Sequence, residues 1–446
     1  MPTVEETRGK AIAAIDGRKD WLIDVASTIL RTPEPGFLEV ETSRLVSEKL
    51  DELGIPHETA IAITGAKGYI RGAQSGPTVA VMGELDSLRV PGHPHADPDT
   101  GAAHACGHHC QVGMMLGVAV GLGVPEVRDA LAGNVALMAV PAEEFIDVEY
   151  RWELRQEGRL GLLSGKQEFI RLGAFDDVDM AMMAHTSASP ADAKFSVGGT
   201  SNGHVGKYVS FIGKAAHAGG SPHLGVNALQ AAMLAINAMN AQRETLRNES
   251  AVRLHGILTR GGVAANAVPD DVRYEGRVRG NTEEAVSDAS AKVDRCLRAG
   301  ALAMGAKARI VTIPGYLPMK NDETLQDLFG HNAARLVGRS NVVSHSQRRN
   351  RGGSTDMGDV SQIMPAIHPY TGAATGSGHT ATYLVNDYEQ GVINPAKAMA
   401  LTVIDLLADG GEKAKEVLAK SPPKMSKAQY LKLQAGRLSE ELYEGK

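Results

Sequence analysis

Continuous apolar runs occupy Thr78 to Met82, Asn134 to Val140 and Val178 to Ala184. Runs without alternation predict strands buried on both faces, as in a parallel sheet. Val112 to Leu122, between the first two, reads as an apolar helix, so strands and helices alternate from Lys67 onward. That alternation is the signature of an α/β domain. The stretch before it has helical periodicity, broken at Thr32-Pro33-Glu34-Pro35-Gly36. At Ser196 the rhythm changes. Strand patterns at Lys207 to Gly213, Ala251 to Thr259, Val272 to Arg279 and Ala308 to Ile313 are interleaved with helical ones at Pro222 to Gln242 and Glu283 to Met304. This β-α-β-β-α-β order is ferredoxin-like. The expected architecture is a mostly parallel-sheet α/β domain in two parts, residues 1–197 and 315–446, interrupted by an α+β module at 198–314. In the second part, Leu325 to Val337 and Pro395 to Leu407 predict helices, Ile367 a strand, and the Lys- and Glu-rich tail after Gly410 a surface helix.

Composition narrows the function classes. The 446 residues are 43% hydrophobic and 22% charged, ordinary for a soluble globular protein. Net charge is −6 with no basic stripe, so no nucleic-acid partner is expected. No apolar run approaches the ~20 residues that span a bilayer, and the acidic start lacks an apolar signal core, so no membrane partner is expected. Of three cysteines, Cys106 and Cys110 sit beside histidines. That usage fits a metal role and a cytoplasmic location.

The chemistry-bearing residues fall just after the predicted strands: Asp86 after the first, Glu143 and Glu144 after the second, His185 after the third. Ligands of open α/β sheets bind at that end. Cys106 and His108 are two apart and would not share a helical face. In a loop entering the helix at Val112, with Gly107 allowing a tight turn, both can point into one site. Thiolate and imidazole suit zinc or a similar transition metal, although a buried Cys in a His-rich loop reads equally well. Adjacent acids after a buried strand repel unless a cation compensates them. Their side chains diverge, so one can ligate metal while the other serves as general base. His185, after Met180 to Ala184, also reads as a core histidine, whereas His379 sits in a glycine-rich loop suited to close ligand approach. Asp86 is expected to orient a histidine through its other ring nitrogen. Arg277 and Arg279 share one strand face by the period of two.

Glu84-Leu-Asp86, His104-Ala-Cys-Gly-His108, Pro141-Ala-Glu-Glu144, His185 and His379 occur in the order seen in the aminoacylase/carboxypeptidase-G metallopeptidase superfamily, which the chain resembles from Pro33 to Leu407. The Cys-Gly-His form is similar to the branch of aminobenzoyl-glutamate hydrolase subunits and auxin-conjugate hydrolases. The resemblance implies a centre of two divalent metal ions held by Cys106, His108, Glu144, His185 and His379, with Cys106 bridging and Glu143 as general base. It implies that the inserted module is a lid and dimerisation domain. There, His217 in Ala215-Ala-His-Ala-Gly219 would reach the active site of a homodimer partner and stabilise the oxyanion, and Asn266 would contact substrate. Arg279 fits the family position that could clamp a substrate carboxylate. After Glu144 the chain departs from the family's common glycines and continues Phe145-Ile-Asp-Val-Glu-Tyr-Arg-Trp152.

The expected activity is hydrolysis of the amide bond of a small N-acyl or N-aroyl amino acid, or an unusual dipeptide, with a free carboxylate. The alternatives are an N-carbamoyl-amino-acid hydrolase and a non-catalytic metal or peptide-binding protein on the same scaffold. Zinc, manganese, cobalt and nickel are not distinguished at this stage.

Overall fold

The computed structural model describes residues 3–445. A six-stranded sheet forms the centre of its larger body, in the order His57–Ile61, Gly65–Arg71, Ala132–Val140, Gln74–Glu84, Met180–Met182, Ala366–Ile367. The last four strands are parallel, and the first two extend the sheet antiparallel. Along Gln74–Glu84 the run divides by the period of two. Val79 and Val81 enter one core with Val135, Leu137 and Met182, while Ala80 and Met82 enter the opposite core with Ala136 and Met138. Each buried valine, leucine or methionine contributes about 1.5–3 kcal/mol, which is why Val79 to Met82 carries no polar position. Helices Val4–Gly17, Lys19–Arg31, His108–Gly123 and Asn394–Leu407 cover the first face, and Gly165–Leu172 and Lys427–Arg437 pack on the second.

Two differences from the sequence reading bear on the site. The apolar helix starts at His108 rather than Val112, so His108 opens a helix instead of lying in a loop. Gly107 precedes it with φ +96°, and a Cβ there would lie 2.0 Å from Thr186 Oγ1, so only glycine fits. The strand within the run Val178 to Ala184 is shorter than the run. Met180–Met182 stays in the central sheet, and His185–Ser187 pairs with Tyr370–Gly372 in a separate four-stranded sheet that also holds Phe195–Thr200 and Val342–Asn350. The chain changes sheets just before His185.

A second, antiparallel sheet has the order Arg253–Arg260, Asp271–Gly280, Gly203–Ile212, Lys307–Pro314, Ser439–Tyr443. Its first four strands, with helices Ala228–Ala241 and Glu283–Met304, follow the β-α-β-β-α-β order around one core. The first of these helices begins later than Pro222 because the Asn227 side chain caps it by accepting the Gln230 N–H. The tail is more than a surface helix. After Glu412–Lys420, the helix Lys427–Arg437 buries Tyr430 and Gln434 against Asp359, and Ser439–Tyr443 adds the fifth strand. Among the described residues, no single helix is long and apolar enough to cross a membrane.

Candidate metal centre

Glu84 ends a central strand, Glu143 and Glu144 follow its neighbour, and His185 opens the strand beyond the next. Cys106 and His108 stand at the start of the apolar helix, and His379 comes from a loop after Ala374–Thr375. Their donor atoms converge. Cys106 Sγ is 3.3 Å from His185 Nε2, and His379 Nε2 is 3.3 Å from Glu144 Oε1. The donors of Cys106, His108 and His185 lie within 4.8 Å of one another, as do those of Cys106, Glu144 and His379, and those of Glu84, His108 and Glu143. Cys106 belongs to the first two groups.

Backbone and carboxylate contacts aim these donors. His108 Nδ1 is 2.9 Å from the Asp86 carbonyl and 3.2 Å from Asp86 Oδ1, and His185 Nδ1 is 2.6 Å from the Thr186 carbonyl. Each Nδ1–H is thereby donated, leaving Nε2 as the free lone pair on the cluster side. Asp86 Oδ2 also accepts the Glu144 N–H at 2.8 Å, so one buried carboxylate fixes two of the donors. The His379 N–H donates to the Ala105 carbonyl at 2.8 Å, and His379 has φ +63°.

The charges in this site oppose one another unless a cation is present. Burial, then the charges of Glu84 and Glu144, pushes the Glu143 carboxyl well above its ordinary range. Burial and then Glu144 push the Cys106 thiol up. Burial alone would lower His108, but Glu84 holds it well above its usual value, while burial and then His108 bring His185 down to about 4. His108 Nε2 and Glu84 Oε2 face each other at 3.1 Å, and Glu144 Oε1 faces His379 Nε2; unless those imidazole nitrogens carry a proton, all three buried atoms lack a hydrogen-bond partner among the described residues. Leaving such atoms unsatisfied costs ~1–3 kcal/mol each. A divalent cation supplies both the partner and the opposing charge, and a mixed sulfur, nitrogen and oxygen donor set suits a transition metal. The residues fit a metal.

A cleft of 270 Å³ opens over Cys106, Glu143, Glu144 and His185. It meets a second cleft of 480 Å³ walled by Phe145, Ile146 and Ile257, and the two share Glu144, Arg277, Arg279 and His379. Arg279 donates to Ser354 Oγ at 2.9 Å, and burial lowers it to about 10. Arg277 donates to the Phe145 carbonyl. Among the described residues neither guanidinium pairs with a carboxylate. His217 and Asn266 line neither cleft of this chain. They lie together on an exposed end of the second body, where the Ala218 N–H donates to the Asn266 carbonyl at 2.9 Å and His217 Nδ1 accepts from Gly220 at 2.9 Å.

The M20 peptidase dimerisation domain matches residues 198–304. Mouse Xaa-Arg dipeptidase is 30% identical over 344 residues, spanning 74% of this chain and 70% of that protein. The chain belongs to the M20 metallopeptidase family. The Arabidopsis thaliana IAA-amino acid hydrolase ILR1-like 4 is 24% identical over 385 residues, 82% of each protein. A dinuclear metal-binding M20 peptidase from Bacillus subtilis shares the fold, with TM-score 0.62 and 22% identity, over 88% of this chain and 99% of that one. As an M20 peptidase the chain is a hydrolase of amide or peptide bonds, built from a catalytic and a dimerisation domain.

Several residues of this M20 peptidase site carry no sequence signal. Lys166, fully buried, bridges Glu84 and Asp356 at 2.5 Å each. The Tyr316 hydroxyl donates to the Glu143 carbonyl. Arg351 pairs with Asp192 at 2.8 Å and stacks 3.8 Å over the Tyr370 ring, lining the cleft beside Arg279. Glu39, also fully buried, accepts the Ala142 N–H at 2.8 Å and the Thr64 hydroxyl at 2.6 Å.

Glu39 gives the fold a pH dependence. Burial and then Asp86 push its carboxyl up to about 8, from 4.5 for an unperturbed glutamate. Because the folded value is raised, the stabilising contribution is complete below about 4.5 and is lost as pH rises through about 8. Glu39→Gln keeps the uncharged form at every pH. Between pH ~5 and ~9 its melting temperature is expected to fall less than that of the wild type, and parallel melting profiles would refute this assignment.

Proposed function

We propose that this M20 peptidase cleaves the amide bond of an N-acyl or N-aroyl amino acid, or of an unusual dipeptide, that bears a free carboxylate. One observation carries the reading. Cys106 Sγ belongs to two donor groups at once, beneath a cleft that leads to two guanidiniums without carboxylate partners among the described residues. In this reading His108 and His185 would hold one divalent ion and Glu144 and His379 a second, and Cys106 belongs to both donor groups. Zinc or manganese suits these donors, and cobalt or nickel also fits. Bound metal supplies Lewis acidity at the scissile carbonyl and a water that is nucleophilic near neutral pH.

Glu143 takes the proton of the attacking water and returns it to the leaving amine. Its carboxylate lines the cleft, and its acidic neighbours raise its affinity for that proton. Arg279 grips the substrate carboxylate bidentately and fixes the scissile bond over the metal. The acyl group lies against Phe145, Ile146 and Ile257 in the adjoining cleft. In a homodimer, His217 of a second copy donates to the oxyanion, worth about 3–4 kcal/mol for one well-placed donor, with Asn266 beside it contacting substrate. Three free cysteines, one of them a metal ligand in this reading, suit a reducing cytoplasm.

Metal-reconstituted enzyme tested against N-acyl, N-aroyl, dipeptide and N-carbamoyl substrates should release an intact acid and an amino acid, identified by mass spectrometry. Release of carbon dioxide and ammonia would reassign it to carbamoyl substrates. No turnover of any substrate by metal-loaded protein would favour a binding role. Arg279→Ala should lower kcat/KM by about 2–5 kcal/mol, on the order of 10²-fold or more. Analogues lacking the carboxylate should be equally poor for wild type and variant. A carboxylate-bearing substrate that is unaffected by the substitution would remove Arg279 from the clamp.

A further inference from the structure

The segment after Glu144 forms the helix Val148–Gln156. Arg151 projects from it into the interior and is 0% exposed. One guanidinium nitrogen donates to the Ala142 carbonyl at 3.1 Å and the Leu163 carbonyl at 2.8 Å, and another donates to the Glu144 carbonyl. Among the described residues it has no carboxylate partner. Instead its charge rests on backbone carbonyls and on the rings of Phe37 and Phe145, whose centroids are 5.2 and 5.8 Å away.

The surroundings are shaped to hold that guanidinium. A Cβ on Gly36 would lie 2.4 Å from Arg151 Nη2, so the Pro35-Gly36 turn leaves the space it fills. Ala142, with φ +55°, and Asp147, with φ +51°, are both in the left-handed region, which costs of order 1–3 kcal/mol each and persists only where neighbours enforce it. Neighbours do enforce it on the loop between them. Glu39 holds the Ala142 N–H and Asp86 the Glu144 N–H. Tyr316 holds the Glu143 carbonyl, and Arg151 holds the carbonyls on either side of it.

We infer that Arg151 is a positioning residue: it fixes the backbone on both sides of Glu143, and so sets where the Glu143 and Glu144 carboxylates point. This rests on the reading of Glu143 as base and Glu144 as ligand. A buried cation without a counter-ion is expensive, and a helix needed only for packing would put an apolar side chain there. The segment's role is then to brace the catalytic loop from behind.

The test compares Arg151→Met, Arg151→Lys and Glu143→Gln in the full-length, metal-reconstituted protein. Arg151→Met removes the charge and all three hydrogen bonds. It should lower kcat on the order of 10²-fold with little change in KM, the scale of a displaced catalytic group. Its cobalt(II) form should show an altered visible spectrum, because the Glu144 backbone, and with it the Glu144 carboxylate, would be displaced. Arg151→Lys keeps the charge but cannot span the same carbonyls, and should recover stability more fully than kcat. A folded Arg151→Met protein with wild-type kcat and cobalt spectrum would overturn the inference. So would losses of activity in both variants that match the unfolded fraction alone, including the case where Met does not fold and Lys is fully active per folded molecule. An active Glu143→Gln enzyme would instead sink the underlying reading, whatever Arg151 does.

Discussion

Glu143→Gln is expected to lower kcat by on the order of 10²–10⁴-fold while leaving metal content and KM nearly unchanged. Glutamine keeps the shape of the side chain and removes only its capacity to accept and return a proton. The Glu143 carboxylate lines the cleft, 8% of the residue is exposed, and among the described residues only its backbone carbonyl is held, by Tyr316. Stability should move the other way. Glu84, Glu144 and Asp356 all raise the cost of a charge at Glu143, so a neutral amide relieves repulsion. A thermal melt at or above the wild-type value, beside a collapsed turnover, separates lost chemistry from lost structure. Substantial turnover by the variant would remove Glu143 as the base.

Lys166→Met is expected to be the most destabilising single change around the site, by about 3–5 kcal/mol. It would strip the cation from Glu84 and Asp356, both at or near zero exposure and each 2.5 Å from the ammonium. Burial would raise Glu84, but Lys166 and then His108 bring it below its ordinary value, so the carboxylate is charged in the folded protein. Without Lys166 that charge must be lost or left bare. The destabilisation should therefore be larger at pH ~8 than at pH ~5, where an uncompensated acid can take up a proton. Adding Glu84→Gln should return part of the loss. Denaturant midpoints measured at both pH values check this, and a deficit independent of pH would refute the charge account.

The donors that converge in the candidate site could be picked out from the sequence. Cys106, His108, Glu143, Glu144 and His185 lie within a few residues of strand ends or a helix start, and strand ends can be read from continuous apolar runs. Position relative to a sheet is local information. The ferredoxin-like order of the second body was legible for the same reason, since each of its strands and helices has its own hydrophobic period. Element ends were less so. The helix start at His108 depends on Gly107 meeting Thr186, and the strand end at Met182 depends on the chain leaving the central sheet before His185 joins another.

The sequence by itself determined the two-body α/β and α+β organisation and the donor types, because hydrophobic period and residue chemistry are properties of short segments. The Asp86 contact that orients His108 was expected from the sequence, and tertiary structure alone decided the rest of what holds those donors in place. Lys166 meets Asp356 across 190 positions, and Glu39 meets Ala142 across 103. Arg151 is close to its loop in sequence, yet nothing in Glu149-Tyr-Arg-Trp152 distinguishes a buried guanidinium from a solvated one. The fifth strand, Ser439–Tyr443, lay hidden in a charged tail because an edge strand needs only one partner and little apolar surface. Such groups are fixed by the partner that folding brings to them, and a partner distant in the chain leaves no mark on the local pattern.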